Sequence, residues 1–328
     1  MFSEWALKNE GTIYPISFSP GIVKNRSILN PSISVSKDGM GTLVFRATNY
    51  RYLRPIGNFI SLTSTGAIQY LYEKKQPASN SFFLAQYDFS LNHSKSVVNI
   101  KLNKLFLPLL PELSKYNFES LEDLRICAQD RKFVLLGNML ISANRRRPVY
   151  FEIESFSKEN EMIPLRELRI VDHANMMKIE KNWVPIEGDL NRVVRWPLSS
   201  KSSGKNKAII TTLNQETSRT EKIEEHPNLF GGSPFIKYES GFLAIVHIRE
   251  LGKRKNNHKY LHKFMYYNSN FELLNSSKPF TFLGFETEFC SGISIYKEKI
   301  YIAFSCNDSL NFVISFSKFS ALWDDNLE

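Results

Sequence analysis

Five times along the chain a short polar motif opens an apolar strand, a tight polar turn follows, and a second strand ends in charged or amide side chains. The copies run Asn30 to Asn49, Glu122 to Asn138, Lys181 to Arg195, Gly232 to Arg249 and Cys290 to Asp308. Each predicts an antiparallel hairpin, because runs rich in Val, Ile and Phe flank turn residues. A hairpin returns the end of its second strand to the edge where the first began. Five hairpins arranged about an axis therefore bring all their opening and closing motifs to one mouth. Those positions hold Asp123, Arg125, Lys181, Arg195, His247, Arg249 and Asp308.

The opening motifs recur at an average period of roughly 65 residues, a spacing that fits four-stranded blades. Further strand-like runs fall between them, at 82–91, 149–156, 208–213, 260–267 and 312–316, and amphipathic helical periodicity is scarce. The reading is all-β, a five-bladed β-propeller forming a single domain over 1–328, with a two-sheet sandwich as the competing arrangement. Residues 1–29 read as an extended lead-in with turns at Gly11 and Pro20-Gly21. The long first interval predicts a rim insertion over 51–80, and 105–120 has room for a short helix. The polar, basic stretches 199–206 and 251–257 read as loops.

Composition narrows the partners. Lys and Arg number 42 against 33 Asp and Glu, leaving a net charge of +9, so the surface attracts anions. No Arg-rich helix, zinc-finger spacing or RNA-recognition signature accompanies that charge, so a phosphate-bearing small molecule accounts for it better than nucleic acid. No run approaches the roughly 20 apolar residues of a transmembrane segment, and the N-terminus is charged where a signal peptide would be apolar. A cytoplasmic location is expected. Cys127, Cys290 and Cys306 are too few and too irregular for a disulfide framework or a zinc site.

Chemistry concentrates in two places. In Glu122-Asp123-Leu124-Arg125, period-two alternation puts Asp123 and Arg125 on one face and Glu122 and Leu124 on the other. Arg125 could then hold the Asp123 carboxylate or share an anion with it, or the group could be a plain salt bridge at a strand start. The second cluster is His247, Arg249, Tyr260 and His262, four donors that converge on a phosphate if their strands are neighbours. A metal is the rival there, since His258 and His262 are four apart. That spacing serves helices, whereas this segment reads as strand, and no third ligand is placed; no metal site is expected. Lys181-Asn182-Trp183 offers a cation, an amide and a flat ring, suited to a sugar, although Trp183 is equally suited to burial between sheets. Ser291, Asn307 and Asp308 close the ring, and Asp308 could instead cap a turn. The basic runs Arg145 to Arg147 and Lys253 to Lys255 read as loops.

The motifs in order resemble the five-bladed propeller group that contains the inverting β-mannoside phosphorylases and the related β-1,2-mannosyltransferases. The matching residues are Asn30-Pro-Ser-Ile with Arg46, Leu121-Glu-Asp-Leu-Arg-Ile126, Glu180-Lys-Asn-Trp-Val-Pro185, Gly231-Gly-Ser-Pro234 with His247, Tyr260-x-His262, and Phe289-Cys-Ser-Gly-Ile with Ser305-Cys-Asn-Asp308. One departure is Leu124, where the phosphorylases usually carry Pro. The fuller set of basic residues that follows the central motif in the phosphorylases is also missing, which turns the expectation toward the transferase branch.

The resemblance implies that Asp123 is the general acid or base at the sugar bond, its proton travelling through a sugar hydroxyl. It implies a sugar-phosphate or nucleotide-sugar donor, a glycan acceptor and mannose as the sugar. The leading expectation is an inverting glycosyltransferase that builds a β-linked mannose-type glycan. Lys181, Arg195, His247, Arg249, Tyr260 and His262 would hold phosphate, while Asn30, Arg46, Asn49, Glu122, Arg125, Asn182, Trp183, Ser291 and Asp308 would contact the sugars. No Gly-rich dinucleotide loop is present, and no cofactor is implied. The alternatives are phosphorolysis, hydrolysis with Glu286, Glu288 or Asp308 activating water, and a propeller that binds carbohydrate or protein without turnover.

Overall fold

The computed structural model describes residues 1–18, 26–53, 67–70, 79–89, 98–100, 103–106, 121–129, 132–142, 145–154, 162–170, 182–196, 206–212, 222–226, 229–251, 258–285, 287–317 and 322–323. All five predicted hairpins form. Ser27–Val35 pairs with Met40–Thr48, Glu122–Gln129 with Lys132–Ser142, and Val184–Ile186 with Asp189–Arg195. In the fourth, Leu229–Gly231 and Ile236–Tyr238 both pair with Gly241–Leu251. In the fifth, Glu288–Tyr296 pairs with Lys299–Cys306. Each hairpin continues outward through further antiparallel strands, and the first two units merge at their outer edge, where Asn103–Phe106 runs parallel to Met162–Ile170.

Each apolar core joins two successive units. Ile33, Phe45 and Ala303 link the fifth to the first, and Val44, Ile126 and Phe151 link the first to the second. Leu136, Tyr150, Trp183 and Val193 link the second to the third, and Val194, Trp196 and Val246 link the third to the fourth. Ile245, Phe264, Ile293 and Phe304 link the fourth back to the fifth. A strand covered on both faces has no solvent side, which is why all nine residues of Ser27–Val35 are buried. Ser32 crosses between units by donating its hydroxyl to Ser291 O (2.6 Å) and accepting from the Ile126 amide (3.1 Å).

The lead-in departs from its extended reading at its start and keeps it over Thr12–Phe18. Phe2–Lys8 is a short helix whose Phe2, Trp5 and Ala6 lie buried on one face, against Phe264, Phe280 and Phe316. Spacing of three and four residues over so short a run is too brief to read as periodicity. Thr12–Phe18 is a strand that pairs with Leu310–Phe316, so the N-terminus completes the sheet of the fifth hairpin. Pro15 sits inside it and masks the strand signal. The predicted insertion shows one ribbon, Tyr50–Leu53 with Ala67–Tyr70, and its last residue belongs instead to the strand Asn80–Asp88. Leu105 and Phe106 lie in a strand rather than a helix; 107–120, 199–205 and 252–257 fall outside the described residues. Among the described residues, no helix is long and apolar enough to cross a membrane.

Candidate active site

The second hairpin opens on an irregularity. Its pairing slips between Leu136 and Asn138, and Asp123 takes φ 51°, a left-handed conformation that Asp and Asn adopt more readily than other side-chain-bearing residues. Asn30 (φ 51°) and Asn182 (φ 57°) repeat the device at the openings of the first and third hairpins. The slip breaks the expected alternation. Glu122 and Asp123, predicted on opposite faces, both meet Arg46, at 3.7 and 3.3 Å.

A compact polar network results. Asn30 Nδ2 donates to Asp123 Oδ1 (2.7 Å), and an Arg46 guanidinium nitrogen donates to the same oxygen (3.3 Å). Arg46 Nε donates to Asn80 Oδ1 (2.9 Å), while Asn80 Nδ2 donates to Leu121 O (2.9 Å). Arg146, two strands away in the same sheet, pairs with Glu122. Arg46 is nearly enclosed, with its side chain 10% exposed, whereas the Asp123 side chain is 21% exposed. A carboxylate so placed can reach a substrate while its donors remain shielded from competing water. Asn80 and Arg146 were not among the predicted site residues. The sequence offers no signal for Asn80; Arg146 belongs to a basic run assigned to a loop, which the structure places in the strand Arg145–Glu154.

Arg125 departs from its expected role. It is fully buried, and its donors go to backbone: Nε to Gly232 O (2.5 Å), one terminal nitrogen to Asp123 O (3.0 Å), the other to Gly231 O (3.3 Å). It therefore clasps the main chain beneath Asp123 to the opening of the fourth hairpin and makes no contact with the carboxylate. Burial lowers its proton affinity, an effect opposed by the nearby charge of Asp123.

The predicted histidine cluster assembles by register but not at a surface. His247 pairs with His262 and Arg249 with Tyr260, as neighbouring strands require. His247 is buried among Phe230, Tyr260 and Phe289, and His262 lies fully buried against Phe280 and Phe282. Desolvation, reinforced by Arg125, pushes His247 down to about 3, and desolvation holds His262 well below its usual range. Both rings are neutral near pH 7, so neither brings a positive charge to a phosphate. Arg249 is exposed at the strand end and Tyr260 is half-buried.

The remaining candidates scatter. Trp183 is 1% exposed inside the core between the second and third units, with the Arg195 guanidinium 5.7 Å above its ring, so it offers no open face for sugar stacking. Asn182 beside it is half-buried. Asn49 Oδ1 accepts from the Ser79 amide (2.8 Å), and Ser291 donates to Pro31 O (2.9 Å); both side chains tie backbone together. Asp308 sits in the turn after the fifth hairpin, where its carbonyl accepts from Ser27 (2.6 Å). Lys181, Glu180 and Glu286 lie outside the described residues. Glu288 is buried and accepts the amides of Phe282 (2.5 Å), Leu283 (2.7 Å) and Phe285 (3.0 Å); burial raises its proton affinity against those donors. That is a loop anchor, not a base for water. Among the described residues, no group of three or more His, Cys, Asp or Glu is placed to hold a metal ion.

No protein family matches the sequence, and neither does any curated protein. Solved structures do share the fold. A β-1,2-mannobiose phosphorylase from Listeria innocua superposes with a TM-score of 0.63 at 12% identity, over 97% of this chain and 100% of that one. MPT-4, a mannose phosphorylase from Leishmania mexicana, gives 0.57 at 11% identity over 97% and 92%. A glycosyl hydrolase from Bacteroides ovatus gives 0.57 at 13% identity over 90% and 85%. At these identities the likeness defines the fold.

Proposed function

We propose that the chain is a five-bladed β-propeller enzyme, a single domain, that exchanges a β-mannoside bond with phosphate, Asp123 handling the proton. The carrying observation is the Asp123 carboxylate, presented by a left-handed backbone at the edge where hairpins converge and held by Asn30 and Arg46. The five cores that join successive units in a ring support the propeller reading. The likenesses are to phosphorylases and a hydrolase, so the expectation of a glycosyltransferase fed by a sugar phosphate or nucleotide sugar gives way to phosphorolysis. Synthesis from mannose 1-phosphate is the same reaction in reverse.

In the cleavage direction Asp123 gives a proton, through a sugar hydroxyl, toward the leaving oxygen as phosphate attacks the opposite face of the sugar. Inversion follows from that single displacement. Hydrolysis requires a second carboxylate to activate water; Glu122 faces Arg46 and Arg146 and Glu288 anchors a loop, so Asp308 is the candidate for that role that the described residues retain. Arg249, Arg195 and Lys181 are the proposed anion-holding residues, with Tyr260 as a hydroxyl donor.

Purified protein incubated with β-1,2-mannobiose and inorganic phosphate should release mannose 1-phosphate, read by mass spectrometry. Asp123→Asn keeps the volume and the left-handed backbone but cannot transfer the proton, and should lower turnover by about 10³-fold, in the range for general acid–base catalysis. Cleavage without phosphate would turn the reading to hydrolysis. Turnover unchanged in the variant would remove Asp123 from the chemistry.

A further inference from the structure

Ser305 stands one residue from the end of the fifth hairpin and is buried. Its hydroxyl donates to Asn30 Oδ1 (3.0 Å), and the Asn30 backbone N–H donates back to the same hydroxyl (3.3 Å). This two-way clasp matches, and helps hold, one orientation of the Asn30 side chain toward Asp123. With Oδ1 turned to Ser305, Nδ2 lies 2.7 Å from Asp123 Oδ1. Reversed, the amide would set an oxygen against the carboxylate, a repulsive contact. The relay draws on three hairpins: the fifth supplies the hydroxyl, the first the amide and the second the carboxylate.

We infer that Ser305 is a positioning residue, which through Asn30 fixes one oxygen of Asp123. The inference rests on the role proposed for Asp123. A donor held against one carboxylate oxygen favours the ionised form and restricts rotation about the carboxyl bond. Asn30 suits the place twice over, since its amide supplies the donor and its left-handed backbone is one that Asn tolerates.

The test is a ¹³C NMR titration of carboxyl carbons in the unliganded full-length protein, with Asp123→Asn locating the Asp123 signal. Ser305→Ala removes one hydroxyl from a buried strand. It should strengthen proton binding by Asp123 roughly two- to tenfold, the worth of one net hydrogen bond. The limb of the pH profile governed by Asp123 should move to higher pH by the same factor. Ser305→Thr, which keeps the hydroxyl, should restore both. Asn30→Asp places a second carboxylate against the first and should strengthen proton binding on the order of 100-fold, as carboxylates sharing a site do. An Asp123 titration that stays put in both Ser305→Ala and Asn30→Asp overturns the relay. A shifted titration in a protein that turns over no mannoside upholds the relay and defeats the functional reading instead.

Discussion

The openings of the second and fourth hairpins occupy the same place in their units and have opposite fates. At the second, Glu122 and Asp123 meet Arg46 and Arg146 in a partly exposed network. At the fourth, the chain turns through Gly231 and Gly232, and the polar residues across from it, His247 and His262, are enclosed by phenylalanines. Glycine accounts for part of the difference. A Cβ on Gly231 would lie 2.3 Å from Asn182 O and 2.4 Å from the Trp196 ring, so the backbones close up and shut the interior. At the second opening Asp123 stands in that place, and its side chain keeps 21% exposure. The hairpins supply comparable openings, and the residue that stands at each helps decide whether a polar side chain stays accessible.

Arg125 joins the two openings, so removing it gives the largest expected effect on that comparison. Arg125→Ala deletes a buried cation and leaves the carbonyls of Asp123, Gly231 and Gly232 without their donors. Stability should fall by about 3–5 kcal/mol in urea denaturation, and turnover should fall with it as Asp123 loses its seat. A variant of wild-type stability would mean that the two openings are held by other contacts.

Glu288→Gln comes next and contrasts a structural carboxylate with Asp123, the carboxylate proposed to handle the proton. It replaces one of the accepting oxygens by a donor facing backbone amides, and should cost about 1–3 kcal/mol. Turnover per folded molecule should be unchanged. A loss of turnover comparable to that of Asp123→Asn would return Glu288 to the chemistry.

The smallest effect tests the enclosed histidines. Both have proton affinities lowered by burial, so between about pH 6.5 and 5 the unfolded chain takes up protons that the folded chain refuses. Unfolding then becomes easier as pH falls, by about 1.4 kcal/mol per pH unit for each such histidine. His262→Phe, in a pocket already lined by Phe280 and Phe282, should leave stability near pH 7.5 little changed and flatten the slope by one proton. An unaltered slope would place His262 in contact with water.

Much of the architecture was legible. The hairpins declare themselves because strand, turn and strand are local, and local chemistry sets them. The Asp123 signal was legible too, as an acidic motif ahead of an apolar strand. Its neighbours were less so. Asn80 reaches Arg46 across a strand pairing, and Ser305 reaches Asn30 from 275 residues away; no pattern within a window connects them. The N-terminal strand was hidden because Thr12–Phe18 acquires its partner, Leu310–Phe316, only when the ends of the chain meet.

The sequence by itself determined the hairpins, their spacing and the acidic motif that opens the second. Only the tertiary structure decided which polar residues face solvent. Period-two alternation assigns residues to a face of a strand but cannot say what covers that face. In stacked sheets both faces are covered. His247, His262, Trp183 and Arg125, each polar or aromatic at a predicted mouth, were therefore drawn inside. Asp123 kept partial exposure at an opening where the strand pairing slips.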